Sequence, residues 1–286
     1  MNIQTAITPE NKAQSTSLPW GKWGIRSIAL SYLVLVLIIP LLVIVRDGFS
    51  QGLAEFWRQI TLPTAWAALK LTFWTSAVMT IINTIMGTLT AFVLVRYDFP
   101  GKRLLNSIID LPLAIPTLVT GVMLVILFGP QETLGAWLKG TFDLSVIFAP
   151  PGIILALLFL TFPFVVRSVQ PVLHELDRAQ ERAAATLGAG GWTIFRRIIL
   201  PPLSLPIITG ALLSFARAIG EFGSVVIVAG NIPLRSQTAA VYVLGEVESD
   251  NRLGASAVSI VMVAVAFGLL MLADYLRKRR VRRESI

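Results

Sequence analysis

Apolar residues dominate the chain in six long runs, which short polar segments separate. A helix rises 1.5 Å per residue, so each run is long enough to cross the hydrocarbon core of a bilayer. The pattern therefore predicts an all-α polytopic membrane protein with six transmembrane helices. The predicted spans are Ile28–Val45, Ala67–Val95, Leu104–Phe128, Gly152–Val172, Leu203–Ala229 and Ala255–Tyr275.

The polar segments predict three parts: an N-terminal segment of residues 1–25, a six-span domain of residues 26–277 and a basic tail of residues 278–286. Inside the domain, the loop of residues 174–201 is strongly patterned. Its alanine-rich half predicts a helix that ends at Gly188, because glycine accepts the positive φ of a helix end. A second helix is expected from Trp192 to Ile199, closed by Pro201-Pro202. Such a helix–turn–helix with small residues fits a groove on another protein.

Composition places the chain among membrane proteins. It is 55% hydrophobic and 14% charged, with a mean hydropathy of +0.75, whereas soluble domains carry about 25% charged residues. The chain has no cysteine and one histidine, His174, which excludes disulfides, thiolate metal sites and most histidine-based catalysis. It also lacks a Gly-x4-Gly-Lys-[Ser/Thr] loop for nucleotide phosphates.

Lysine and arginine predict the topology. Seventeen of them fall from Lys12 to Arg26, in the second loop, from Arg167 to Arg197 and from Arg277 to Arg283, against about five in the alternate segments. The prediction is that both termini and the 174–201 loop face the cytoplasm. The net charge of +8 is then a membrane-orientation signal with lipid contacts, and nucleic acid is not an expected partner.

The 174–201 loop resembles the "EAA" coupling loop of ABC importer permeases. The matching residues are Ala183, Ala184, Gly188, Ile198, Leu200 and Pro201. The family's glutamate position holds Arg182, with Glu181 one residue earlier, so Glu181 is the candidate to supply the glutamate contact. The resemblance implies docking on an ATPase subunit, and we call residues 174–201 the coupling loop.

Three further segments resemble sulfate/thiosulfate permeases, in particular the T-type subunit, which pairs with a related W-type subunit. They are Asp110-Leu-Pro-Leu-Ala-Ile-Pro116, Ala216-Arg-Ala-Ile-Gly-Glu-Phe-Gly223 and Ala229-Gly-Asn-Ile-Pro233. The resemblance implies a non-catalytic subunit without a cofactor of its own. It implies as partners a second homologous permease, two ATPase copies that bind ATP and magnesium, and an extracytoplasmic sulfate-binding protein, all at a bacterial inner membrane.

Ionisable residues within the spans are the candidates for a translocation path or gate, because a charge in a bilayer is costly unless it faces a cavity or a partner. Arg217 and Glu221 lie four residues apart, which predicts an ion pair on one helix face or, alternatively, an arginine that lines the path of a dianion. The prolines predict a kink or a gate. The full candidate set is Asp110, Pro112, Pro116, Thr117, Arg217 and Glu221, with Lys70 and the polar Asn83, Thr120 and Ser224 as further possibilities.

Two alternative functions remain open at this point. A molybdate, tungstate or other oxyanion permease of the same class shares the first two segments and is usually a homodimer. An ATP-independent secondary transporter or channel belongs to a different class. It predicts no ATPase partner, gives no reason for the patterned loop, and would be favoured by an inverted repeat.

The topology can be tested with single cysteines, because the chain has none of its own. A membrane-impermeant thiol reagent should label cysteines at Lys139 and Gln237 from outside intact cells. Cysteines at Lys102 and Thr193 should react only after the membrane is opened. Labelling in the reverse order at either pair would contradict the predicted orientation.

Overall fold

A computed structural model describes residues 19–284, and in that range the protein is helical without a β-strand. The helices at the amino-terminal end are α1 (Pro19–Leu33), α2 (Ile39–Gly48), α3 (Leu53–Thr61), α4 (Pro63–Arg96), α5 (Lys102–Ile108), α6 (Leu111–Ala114), α7 (Thr117–Phe128) and α8 (Thr133–Phe142). They are followed by α9 (Pro150–Glu175), α10 (Arg178–Thr186), α11 (Gly191–Ile194), α12 (Leu200–Ile219), α13 (Gly223–Ala229), α14 (Ala239–Glu248) and α15 (Arg252–Glu284).

Five helical stretches of the described residues are long and apolar enough to cross a membrane. They are Trp23–Gly48, Pro63–Arg96, Pro150–Glu175, Gly191–Ile219 and Arg252–Lys278. The chain forms two units that meet between Ile44 and Val45, so most of the first stretch is a unit by itself. The predicted first, second, fourth and sixth spans each match one of these helices. The protein is therefore a multi-pass membrane protein.

The third predicted span, Leu104–Phe128, is wrong as a single helix. Its two halves, Lys102–Ala114 and Thr117–Phe128, are bent by 108°. Proline disfavours the helical conformation of the residue before it, and Ile115 is extended ahead of Pro116, with φ −80° and ψ 131°. Pro112 stands in the first turn of α6, where its missing N–H costs nothing. The predicted proline break is thus confirmed, and Pro116 causes it.

The fifth predicted span, Leu203–Ala229, is also wrong at both ends. The helix begins at Gly191, ends at Ile219, and is followed by the separate short helix α13. The sequence predicted that Pro201-Pro202 closes the preceding helix, but the helix continues through both prolines. A π-helical turn at Phe195–Ile199 comes just before the prolines, and the N–H of Leu200 bonds to the carbonyl of Phe195. This wider turn carries the chain into α12, with the prolines in its first turn.

The core lies where α4, α9 and α12 pack together. Its apolar cluster includes Leu94, Val165 and Leu203, which are all buried. A Cβ at Gly87 would lie 2.9 Å from the Cβ of Val165, so the absence of a side chain lets α4 approach α9 closely. The Asn83 amide adds a polar link and donates to the carbonyl of Leu158 at 3.1 Å. These three helices therefore form one tightly packed body.

The predicted end segments fit the structure only in part. Residues 1–18 of the predicted N-terminal segment lie outside the described residues. The last helix continues to Glu284, so the predicted boundary at residue 278 is not a break in structure. The connector predicted between the fifth and sixth spans contains α14.

Candidate functional site

The coupling loop begins with a well-capped helix. The side chain of Asp177 accepts the N–H of Ala179 at 2.8 Å and so satisfies one free donor at the start of α10. At the other end Gly188 has a φ of +85°, and the N–H of Ala189 bonds to the carbonyl of Ala184 at 3.0 Å. This is the glycine-terminated helix end that the sequence predicted. The turn is therefore a defined structure with a strict requirement at Gly188.

Large apolar side chains on the coupling loop are open to the surroundings. Leu187 is 88% exposed and Trp192 is 72% exposed, and Arg182 and Ala183 are exposed beside them. The other predicted docking residues differ in exposure: Glu181, Ala184, Ile198 and Leu200 are half-buried, whereas Gly188 and Pro201 are exposed. An exposed apolar patch of this kind is typical of an interaction surface.

The coupling loop is fastened to the end of α4. The guanidinium of Arg96, only 7% exposed, pairs with the carboxylate of Glu181. Arg178 donates to the carbonyl of Val95 at 3.2 Å, where a cation suits the negative end of the helix. Phe92 packs edge-on against Phe195 with a centroid distance of 6.2 Å. A displacement of the loop therefore acts directly on α4.

Glu181, the candidate to supply the glutamate contact, has a partner inside the chain, and its contact with another subunit stays a prediction. Its carboxylate is bound to Arg96, whereas Arg182 is exposed and has no ion-pair partner among residues 19–284. From the sequence alone, Arg96 is only one of the positive charges that predict the topology. The only sequence signal for this pair is weak: an arginine at the last position of a long helix and an acidic residue 85 positions later in the coupling loop.

Asp110 belongs to a polar clamp between α6 and α9. Its carboxylate accepts from Nε of Arg167 at 2.7 Å, and Arg167 also donates to the side chain of Asn106 at 2.9 Å and to that of Gln170. Arg167 had been assigned to a cytoplasmic loop, but it lies inside α9. Asp110 is thus tied to a neighbouring helix, and its part in a translocation path stays a prediction.

The broken spans meet at a close contact between α7 and α13. The first residue of α7, Thr117, lies directly against Gly223, which has no room for a Cβ. One turn further on, a Cβ at Gly121 would lie 2.8 Å from the carbonyl of Ser224. The structure therefore brings the Pro116–Thr117 break close to the break after α12.

Glu221 is a buried carboxylate at that second break. Its side chain is 2% exposed and pairs with Arg217 at 2.8 Å, whereas the side chain of Arg217 is 38% exposed. The same carboxylate accepts from the backbone N–H and the hydroxyl of Ser224, both at 3.0 Å. The predicted ion pair is confirmed. It does not lie on one helix face, however, because Glu221 follows the end of α12 and bridges to the start of α13.

The remaining polar candidates differ in their partners. Asn83 and Ser224 are hydrogen-bonded to neighbouring groups. Thr120 is buried with no hydrogen-bond partner for its hydroxyl in the described part of the chain. In the polar segment after α4, Lys102 lies 2.8 Å from Asp98 and lowers the pKa of that carboxyl. Among residues 19–284 no group of three His, Cys, Asp or Glu residues is placed to bind a metal.

Fold and sequence together define the class of protein. Residues 83–283 match the family of binding-protein-dependent transport system inner membrane components. The chain belongs to this family of integral membrane permeases.

Individual relatives indicate which type of permease the chain resembles. The sulfate transport system permease protein CysT of Escherichia coli K12 is 39% identical over 255 residues, which cover 89% of this chain and 92% of the relative. A probable sulfate transport permease, cysT, of Chlorokybus atmophyticus is 39% identical over 261 residues, 91% of this chain and 89% of the relative. CysW of Synechocystis is 37% identical over 258 residues, with 90% and 93% coverage. The predicted resemblance to sulfate-type ABC permeases is confirmed.

Solved structures agree with the fold. A chain of a bacterial alginate ABC transporter, crystallised with an alginate-bound periplasmic protein, superposes with a TM-score of 0.74 at 17% identity. The match covers 91% of this chain and 94% of that one. A methionine ABC transporter in an inward-facing conformation gives a TM-score of 0.51 at 17% identity, with 76% and 98% coverage. The permease fold is thus shared at low sequence identity.

The unequal burial of Arg217 and Glu221 predicts unequal effects of their replacement. Arg217→Gln leaves a buried carboxylate without its cation and should cost about 3 kcal/mol of stability. Glu221→Gln keeps an acceptor for Ser224 and leaves a half-exposed arginine, so it should cost less. The double replacement by Gln and Leu should recover part of the loss.

The measurement is the thermal midpoint of the purified complex, with Arg58→Gln as a control in an exposed pair with Glu55. If Arg217→Gln melts like the wild type but transports poorly, the arginine lines the path and the structural interpretation is wrong.

Proposed function

We propose that this chain is the membrane-spanning permease subunit of an ATP-driven importer for sulfate and thiosulfate. The relatives CysT and CysW, which cover about nine-tenths of the chain, support the substrate. One structural observation supports the mechanism. A single helical stretch, Gly191–Ile219, runs from the exposed turn of the coupling loop to Arg217 and the break at Glu221.

The proposed assembly contains a second, homologous permease and two copies of an ATPase on the cytoplasmic face. An extracytoplasmic protein delivers sulfate from the other side. The chain itself binds no cofactor, because ATP and magnesium belong to the ATPase. The site of action is the inner membrane of a bacterium, with both termini and the coupling loop in the cytoplasm. The docking contact would use the exposed Leu187–Trp192 surface.

Transport follows from mechanical coupling between the two ends of the permease. Closure of the ATPase dimer moves the coupling loop, and the Arg96–Glu181 pair carries this displacement to α4. The Gly191–Ile219 helix carries it to the close contact of α7 and α13. Packed helices shift as rigid bodies rather than deform continuously. The breaks at Pro116 and Glu221 are therefore the places where access changes from one side to the other.

The substrate is tested by uptake in proteoliposomes that contain the permease, its partner permease, the ATPase and the binding protein. We expect radiolabelled sulfate to accumulate only with internal ATP, and thiosulfate to compete. Accumulation without ATP would favour a secondary transporter. ATP-dependent uptake of molybdate with no uptake of sulfate would favour the other oxyanion class.

The coupling turn provides a sharper test of the mechanism. Gly188→Val should assemble poorly with the ATPase and reduce uptake at least tenfold, because a β-branched residue does not tolerate a φ of +85°. Gly188→Asn is the matched control, since asparagine is the non-glycine residue that most readily accepts a left-handed conformation at a helix end. Co-purification and uptake are measured for both variants. Equal behaviour of the two would remove the strict turn from the mechanism.

A further inference from the structure

A cavity of about 530 Å³ lies at the end of α4 that is remote from the coupling loop. Its walls include Trp66, Lys70 and Trp74 of α4 together with Leu234, Arg235 and Gln237, which precede α14. Lys70 is 26 residues from Arg96 in the same helix, which corresponds to about 39 Å at 1.5 Å per residue. Because Arg96 binds the coupling loop, this cavity opens at the opposite end of the bundle.

Two positive charges face this cavity without compensation. Lys70 and Arg235 are both exposed, and neither side chain has a hydrogen-bond or ion-pair partner among the described residues. No aspartate or glutamate lines the cavity. A lysine seven residues inside a membrane-spanning helix is costly and marks a functional position unless a partner neutralises it. The local charge of +2 therefore suits a dianion.

The loop that carries Arg235 is held in a fixed shape. The hydroxyl of the buried Ser236 donates to the carbonyl of Ala229 at 2.5 Å. The N–H groups of residues 235, 236 and 237 all bond to the carbonyl of Ile232, at 3.0 to 3.2 Å. The N–H of Ala239 donates to Thr72 of α4 at 2.8 Å. The loop is thus locked onto the helix that supplies Lys70.

The same loop contains two non-glycine residues with positive φ, Asn231 at +49° and Leu234 at +61°. For residues other than glycine, such conformations are strained and persist where the surrounding structure enforces them. The apolar side chain of Leu234 is 65% exposed, so burial of that residue does not repay the strain. The strain instead fixes the adjacent Arg235 at the edge of the cavity.

We propose that this cavity is an entry site for the tetrahedral oxyanion, with Lys70 and Arg235 as its two binding cations. The inference rests on the proposed function and adds the residues that receive the substrate. Both cations remain partly hydrated and the cavity is larger than one oxyanion. The site therefore binds weakly, which lets the anion leave toward the centre of the bundle. Trp66 and Trp74 form its apolar walls.

The charge of the cavity is measurable with a cysteine in place of Leu234, because the chain has no other cysteine. In the assembled importer, an anionic methanethiosulfonate should modify Leu234→Cys faster than a cationic one. Lys70→Gln and Arg235→Gln should each lower the anionic-to-cationic rate ratio by roughly sevenfold, because a unit charge about 7 Å away in water changes each of the two rates by about threefold and in opposite directions. Lys70→Arg and Arg235→Lys should preserve the ratio. Lys139→Gln, which removes an exposed charge outside the cavity, should leave it unchanged.

Occupancy of the cavity by sulfate is measured by how far the salt protects Leu234→Cys from the anionic reagent. Sodium sulfate should slow the anionic reagent more than sodium chloride of the same ionic strength, and Lys70→Gln should abolish the difference. Protection by molybdate and not by sulfate would keep the site and overturn the sulfate assignment. Three results would each overturn the entry site. They are equal slowing by both salts, protection only by phosphatidylglycerol in the membrane, and a cysteine at position 234 that does not react in the assembled importer. Failure of sulfate uptake by the wild-type importer, by contrast, would contradict the proposed function itself.

Discussion

A helix that crosses a membrane can stop halfway only if the freed backbone groups and any nearby charge find partners inside the protein, because lipid offers none. Glu221 meets this requirement for the fifth span. Its carboxylate binds Arg217 on one side and the N–H and hydroxyl of Ser224 on the other. The short helix α13 can therefore start at Gly223 and pack against α7. Loss of this carboxylate therefore weakens both the break and the contact with Thr117.

The sequence predicted the long helices well because their signal is continuous. Apolar runs of 20 or more residues indicate a span whatever its surroundings, and α4 and α9 match their predicted positions. The break at Pro116 was predicted from the prolines, but the break after α12 was missed because hydropathy measures composition and not direction. Residues 203–229 remain apolar through Gly220 and Gly223, where the helix stops. Pro201-Pro202 led to the opposite error, a predicted helix end where the helix continues. A π-helical turn accommodates the two residues that lack an N–H, and no residue pattern predicts such a turn.

Interactions of the candidate site were predicted where the partners are close in sequence and missed where they are far apart in sequence. The helix end at Gly188 and the i,i+4 pair of Arg217 and Glu221 both depend on near neighbours in the chain. The Arg96–Glu181 pair joins residues 85 positions apart, and the bond from Arg167 to Asp110 joins residues 57 apart. Only the packing of α10 against the end of α4 and of α6 against α9 creates such pairs. The fold itself is less demanding, since permease chains keep it at 17% identity.

The π-helical turn at Phe195–Ile199 has a consequence for how this chain can change in evolution. A regular helix advances 100° per residue, and the wider turn sets the angle between the surface around Trp192 and the membrane part of the same helix. Loss of one residue there would leave length, hydropathy and helix content almost the same. It would nevertheless rotate the docking surface by about 100° relative to the core. Insertions and deletions in this stretch are therefore more disruptive than substitutions that preserve its packing.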